Sequence, residues 1–99
     1  MAKTITKRDL VEKVAEGLGK EPVLVRDVIQ LLLDTIIEHL VDGNRIELRN
    51  FGVFSVKHRR PRLGRNPRKP SETVQIPVTP TPIFRAGRHV KLRVKHQAQ

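Results

Sequence analysis

The sequence has no cysteine, no tryptophan and no tyrosine, and only one methionine and three phenylalanines among its 99 residues. Without cysteine there is no disulfide scaffold, no thiolate metal site and no cysteine nucleophile. Long hydrophobic runs are missing as well. No run of large aliphatics exceeds three residues, as in Leu31-Leu32-Leu33, and Met1-Ala2-Lys3-Thr4 opens without the apolar region of a secretory signal. A membrane span and an exported product are therefore not expected, and a reducing cytoplasm suits the composition.

Acid is scarce in one half of the chain. Residues 48–99 carry thirteen Lys/Arg against the single Glu72, a net charge of +12, whereas residues 1–47 carry seven Lys/Arg against nine Asp/Glu, a net −2. A neutral-to-acidic half joined to a strongly basic half reads as a scaffold carrying a polyanion-binding surface. A basic surface kept only for solubility would not need this asymmetry. The length allows one domain, residues 1–99, and a chain so short gains from a second copy to pack against.

What is present falls into a simple order. Thr6 followed by Asp9 is a capping-box pattern at a helix start. Leu10, Val11, Val14, Ala15 and Leu18 then form one apolar stripe, and Gly17 and Gly19 end it. Pro22 suits the first position of a second, longer helix, which Gly43-Asn44 stop. Val25, Val28, Ile29, Leu32, Ile36 and Leu40 make its core stripe, while Leu24, Leu31, Leu33, Ile37 and Val41 widen the apolar surface. A helix this apolar has to be covered on more than one side, and another copy of the chain is the simplest cover.

From Arg45 the period changes to two. Ile46 and Leu48 alternate with Glu47 and Arg49, Asn50-Phe51-Gly52 turns the chain, and Val53-Phe54-Ser55-Val56 reads as a strand. Phe51, Phe54 and Phe84 fit core packing better than stacking on nucleic acid. Residues 57–70 hold seven positive charges, three prolines and one large aliphatic, Leu63. With Thr73-Val74-Gln75-Ile76 beyond, they read as a basic hairpin turning near Gly64–Lys69, without a core of its own and mobile until bound. Pro77, Pro80 and Pro82 confine the return to edge pairing. Ala86 to Val94 suits a short basic helix with Val90 and Val94 inward and Arg88, Lys91 and Lys95 outward.

No catalytic constellation is visible. A nuclease or phosphotransferase needs clustered carboxylates for a divalent metal, and the basic half has only Glu72. His39, His58, His89 and His96 lack ligand spacing, so no metal, cofactor or enzymatic activity is expected. The absence of an aromatic platform argues against single-strand stacking, though structured or duplex RNA stays open as a ligand. A membrane-surface role is disfavoured because the most apolar helix carries acids on its polar face.

The order of these parts, with Gly64-Arg65-Asn66-Pro67 at the ribbon tip and Pro82, Phe84 and Gly87 spaced Pro-x-Phe-x-x-Gly, resembles the HU and integration host factor family of bacterial histone-like proteins. The resemblance runs from about Lys3 to Val94. It implies an α+β fold: an intertwined homodimer or heterodimer with a helical body, a small antiparallel sheet and protruding β-ribbon arms. Residues 4–43 would be the helical dimerisation part, 45–82 the sheet and DNA-binding arm, and 84–95 a short C-terminal helix.

The function implied is binding and bending of double-stranded DNA through the minor groove, on the nucleoid in the cytoplasm, mostly without strong sequence preference. A site-selective mode like that of integration host factor is the alternative. Matched position by position, Pro67 is the intercalating residue and Arg65 and Asn66 lie beside it in the groove. Arg59 and Arg62 face the sugar-phosphate backbone, and Arg60, Arg68 and Lys69 add charge. Lys3, Arg88 and Lys91 match basic positions on the body, with Arg85 beside them. The sequence also departs from the family pattern. The turn Gly19-Lys20-Glu21-Pro22-Val23 is longer than usual, Asn50 stands where glycine is common, and Lys69-Pro70-Ser71 replaces Thr-Gly with about one extra residue before Ile76.

Overall fold

A computed structural model describes residues 2–58, 62–76 and 78–97. The elements are α1 (Lys7–Leu18), α2 (Pro22–Val41), β1 (Ile46–Leu48), β2 (Gly52–Lys57), β3 (Arg62–Asn66), β4 (Lys69–Ile76), β5 (Thr81–Ala86) and α3 (Arg88–Gln97). They divide into two units, residues 1–38 and 39–99.

In the first unit the expected capping box starts α1. The Thr6 backbone N–H donates to Asp9 Oδ2 at 3.0 Å, and the Asp9 N–H donates to Thr6 Oγ1 at 3.3 Å. Two otherwise orphaned donors of the first turn are thereby satisfied. The Thr6 hydrogen bonds, the backbone one foremost, hold the Asp9 carboxyl below its ordinary value. The helix ends at Gly19, whose φ of 65° places it in the left-handed region that glycine enters without steric cost. Only Gly19 to Glu21 separate the helices, because Pro22 and Val23 are already the first residues of α2.

Val11, Ala15 and Val25 are buried against one another with Ile29 half-buried beside them. Lys7 Nζ donates to Gln30 Oε1 across the helix pair. The expected stripes are thus only partly used within one chain. Leu10, Val14 and Leu18 of α1 and Val28 and Leu32 of α2 are exposed, and Leu31 and Val41 are the most exposed of the large apolar residues on α2, at 68 and 79%.

The second unit holds two antiparallel sheets, β1-β2-β5 and β3-β4. In the first, Ile46 is opposite Phe54 and Phe54 is opposite Phe84. Strand alternation puts Ile46, Leu48, Phe54, Val56 and Phe84 on one face, and Glu47, Val53, Ser55 and Arg85 on the other. The Phe84 ring lies 4.8 Å from that of Phe54 and 5.4 Å from that of Phe51, both tilted at 45°. Phe84 therefore packs on both of the others, which agrees with packing as the expected role, although Phe51 and Phe84 stay about half exposed.

Asn50, the residue in glycine's usual place, has a φ of 66°. Asparagine is among the few residues with a side chain that tolerate this conformation, which explains the exchange. Gly52, by contrast, is needed for space: a Cβ there would sit 2.6 Å from the Arg85 carbonyl oxygen and from the Phe84 ring. β5 runs through Ala86, so Phe84 and Arg85 belong to the sheet and α3 begins at Arg88. Pro82 is on β5, an edge strand of the sheet, where its missing N–H does no harm.

Candidate nucleic-acid interface

The basic hairpin is the β3-β4 ribbon. Arg62 pairs with Ile76, Leu63 with Gln75, Gly64 with Val74 and Arg65 with Thr73. The register then breaks, and Asn66 pairs with Lys69. Pro70, Ser71 and Glu72 have no partners on β3 and form a bulge on β4. Proline explains its position, since Pro70 has no N–H for the ladder and bulges are where strands accommodate it. The extra length seen beyond the tip in the sequence is taken up here, leaving the rest of the ribbon in regular register.

The turn is shorter than the sequence indicated, just Pro67-Arg68, with Gly64 inside β3. Proline fixes φ near its turn value at the first of these two positions. The Arg68 N–H donates to Asn66 Oδ1 at 2.9 Å, closing a turn through the asparagine side chain around Pro67. Pro67, Arg68 and Lys69 are exposed and Asn66 is half-buried. Lys69 Nζ and Glu72 Oε1 are 3.8 Å apart across the start of the bulge, an exposed pair that contributes little to stability.

The expected site residues divide by location. Arg59 and Arg60 lie outside the described residues, as do Pro61 and Pro77. Arg62 and Arg65 are on β3, and Asn66, Pro67, Arg68 and Lys69 are together at the tip. Lys3 is exposed in the segment before α1. Arg85 is on β5, on the face opposite the phenylalanines, and Arg88 and Lys91 are exposed on α3. With Lys95, they recur at i, i+3 and i+7, so the three cations share one side of α3.

On the other side of α3, Val90 is half-buried and Val94, at 63%, is exposed; both line a cavity of about 450 Å³ with Phe51. One cation escaped the sequence reading. Arg49, in the turn between β1 and β2, lines a second cavity of about 370 Å³ with Arg88 and His89. Only its membership of the basic half could have signalled it. Among the described residues, no group of three or more His, Asp or Glu is placed to hold a metal ion, and no helix is long and apolar enough to cross a membrane.

Comparison with known proteins gives a consistent result. The family described as bacterial DNA-binding protein matches residues 5–95. The chain is 40% identical over 98 residues to integration host factor subunit beta of Haemophilus influenzae, covering 95% of this chain and all of that one. It is 41% identical to integration host factor subunit beta of Halorhodospira halophila, with 95% of each covered. Among solved structures it is similar to Anabaena HU in a cocrystal with DNA, with a TM-score of 0.78 and 36% identity over 91% of this chain and 97% of that one.

Proposed function

The chain belongs to the bacterial DNA-binding protein family, that of HU and integration host factor, and from this premise we propose that it bends double-stranded DNA by wedging Pro67 into the minor groove. The observation that carries the proposal is the tip itself. An exposed proline ring stands at the apex of a two-residue turn, followed by the exposed cations Arg68 and Lys69. The ring is compact, apolar and without a donor, suited to entering a base step and holding it partly unstacked. Wedge insertion of this kind is a known device of HU and integration host factor.

In this reading Arg65 and Asn66 lie in the groove beside Pro67. Arg59, Arg60, Arg62, Arg68 and Lys69 take phosphates along the arm, and Lys3, Arg85, Arg88 and Lys91 hold the flanking DNA on the body, with Arg49 added to them. Bending a site costs roughly 1–10 kcal/mol. Cations offset this cost by releasing condensed counterions, an effect that ignores sequence and fades with salt. The protein's role is architectural and not catalytic, exercised on the nucleoid in the cytoplasm.

The working form is a dimer. The exposed aliphatics of α2 are the surface a second subunit would cover. The likeness to integration host factor subunit beta favours a second reading, in which the partner is a related subunit and sites are selected by their deformability.

The test is energy transfer between the ends of a short random-sequence duplex, titrated with protein at low salt. Transfer should rise, and the rise should vanish in Pro67→Ala while binding persists by anisotropy. Binding without any rise overturns the wedge. A preference of more than about a hundredfold for particular sites over random DNA would select the second reading, since specific binders exceed their non-specific affinity by roughly a thousandfold or more.

A further inference from the structure

We propose that Asn66 positions the wedge: its side-chain oxygen fixes the pose of Pro67, which leaves its amide to present only donors to the minor groove. This deepens the reading of Pro67 as the intercalating residue and rests on it.

Two-residue hairpin loops normally use turns with a positive φ at the first central position, because those match the twist of the strands. Proline cannot adopt a positive φ. Pro67 occupies that first position, between the paired Asn66 and Lys69, and no tip residue has a positive φ. The tip therefore lacks the usual support of a tight hairpin and takes it from a side chain. The Arg68 N–H reaches back over Pro67 to Asn66 Oδ1 at 2.9 Å. This bond spans the proline on both sides and limits the directions its ring can take.

The same bond settles which way round the carboxamide lies. A backbone N–H can only donate, so the atom facing it is the oxygen and not the nitrogen. Nδ2 then carries two hydrogens, and among the described residues neither has a partner. Every base pair offers acceptors in the minor groove, but G·C adds the guanine 2-amino donor. A group that only donates is matched by A·T and opposed by that amino group. Asn66 thus couples two properties of the tip, the pose of the wedge and a preference against guanine beside it.

Inosine separates this preference from major-groove effects, because it is guanine without the 2-amino group. End-to-end transfer would be measured on matched duplexes rich in G·C or in I·C, with the full-length protein as wild type, Asn66→Ala, Asn66→Asp and Pro67→Ala. Each variant should first show the wild-type thermal transition. Wild type should bend the I·C duplex at a concentration about fivefold lower or better, the low end of what one groove contact discriminates.

Asn66→Ala should lose most of the transfer change at saturation, approaching Pro67→Ala, because the turn is no longer closed. Asn66→Asp keeps an acceptor for the Arg68 N–H but has no donor. It should retain the bend at saturation while the I·C preference falls by about the same fivefold. Wild-type bending in Asn66→Ala, or an unchanged preference in Asn66→Asp, overturns the inference while leaving the wedge standing. A Pro67→Ala protein that bends like wild type overturns the wedge, and the inference with it.

Discussion

The two antiparallel sheets of residues 39–99 are built from opposite materials. The β1-β2-β5 sheet has an apolar face, a regular register and the clustered rings of Phe51, Phe54 and Phe84. The β3-β4 ribbon has no aromatic residue, an interrupted register and one acid, Glu72, among its cations. A two-stranded ribbon is marginal on its own, whereas three strands around packed rings hold their geometry. The difference divides the labour: one sheet supplies stability, and the other spends its sequence on chemistry directed outward. Substitutions in the first should therefore appear in unfolding curves, and substitutions in the second in DNA binding.

The largest effect should come from Phe84→Ala. It removes the ring that touches both of the others, so stability should fall by about 2–3 kcal/mol, less than the roughly 3–5 kcal/mol of a fully buried ring. Gly52→Ala should follow at about 1–3 kcal/mol, since the added Cβ meets a backbone oxygen that cannot simply rotate away. Thermal unfolding at a fixed protein concentration measures both, since the midpoint of a dimer depends on concentration. If either variant lost DNA affinity in proportion while keeping its unfolding transition, the division between the sheets would fail.

The ribbon should behave in the reverse way. Arg68→Gln with Lys69→Gln removes two exposed cations from the tip region. In a homodimer, which carries two such tips, the slope of log affinity against log salt should become shallower by about 3.6, and the thermal transition should stay where it was. Titration of a labelled duplex at several salt concentrations gives the slope. An unchanged slope would remove these two residues from the phosphate-contacting set, and a lowered transition would mean that the tip contributes to the fold.

The legibility of the sequence followed the same division. The capping box at Thr6 and Asp9, the helix stop at Gly19 and the strand pair around Phe51 could all be read, because each depends on neighbours in sequence or on a strict period, whereas the meeting of Phe84 with Phe54 depends on the pairing of distant strands. The exposed half of the α1 and α2 stripes could not be assigned in detail, since periodicity gives a buried face without naming what buries it. The ribbon was visible as a basic hairpin, but its turn was placed too broadly. Composition marks Gly64 and Lys69 as turn residues, whereas cross-strand pairing draws both into strands and leaves only Pro67-Arg68 outside. The three-residue bulge was foreshadowed by the odd Lys69-Pro70-Ser71 segment, yet its size depends on register. The bond from Arg68 to Asn66 was beyond sequence reading, since it depends on the pose of one carboxamide. Arg49 was hidden because a cation among thirteen is distinguished only by where the fold puts it.

The smallest predicted effect lies in the helical unit and carries a sign that the sheets do not share. Thr6→Ala opens the capping box and should cost about 1 kcal/mol. The Thr6 hydrogen bonds lower the Asp9 carboxyl below its ordinary value of 3.8 in the folded chain. A depressed carboxyl stabilises the fold while pH stays above its unfolded value, and this contribution is lost as pH falls through the lower folded value. The difference in thermal midpoint between wild type and Asp9→Ala should therefore be constant near neutrality and shrink as pH drops below about 4. The deficit of Phe84→Ala should not follow that course, because the ring cluster contains no group that titrates. If the two deficits shrank together in acid, the loss would reflect general acid unfolding, and the cap would have no separate part in it.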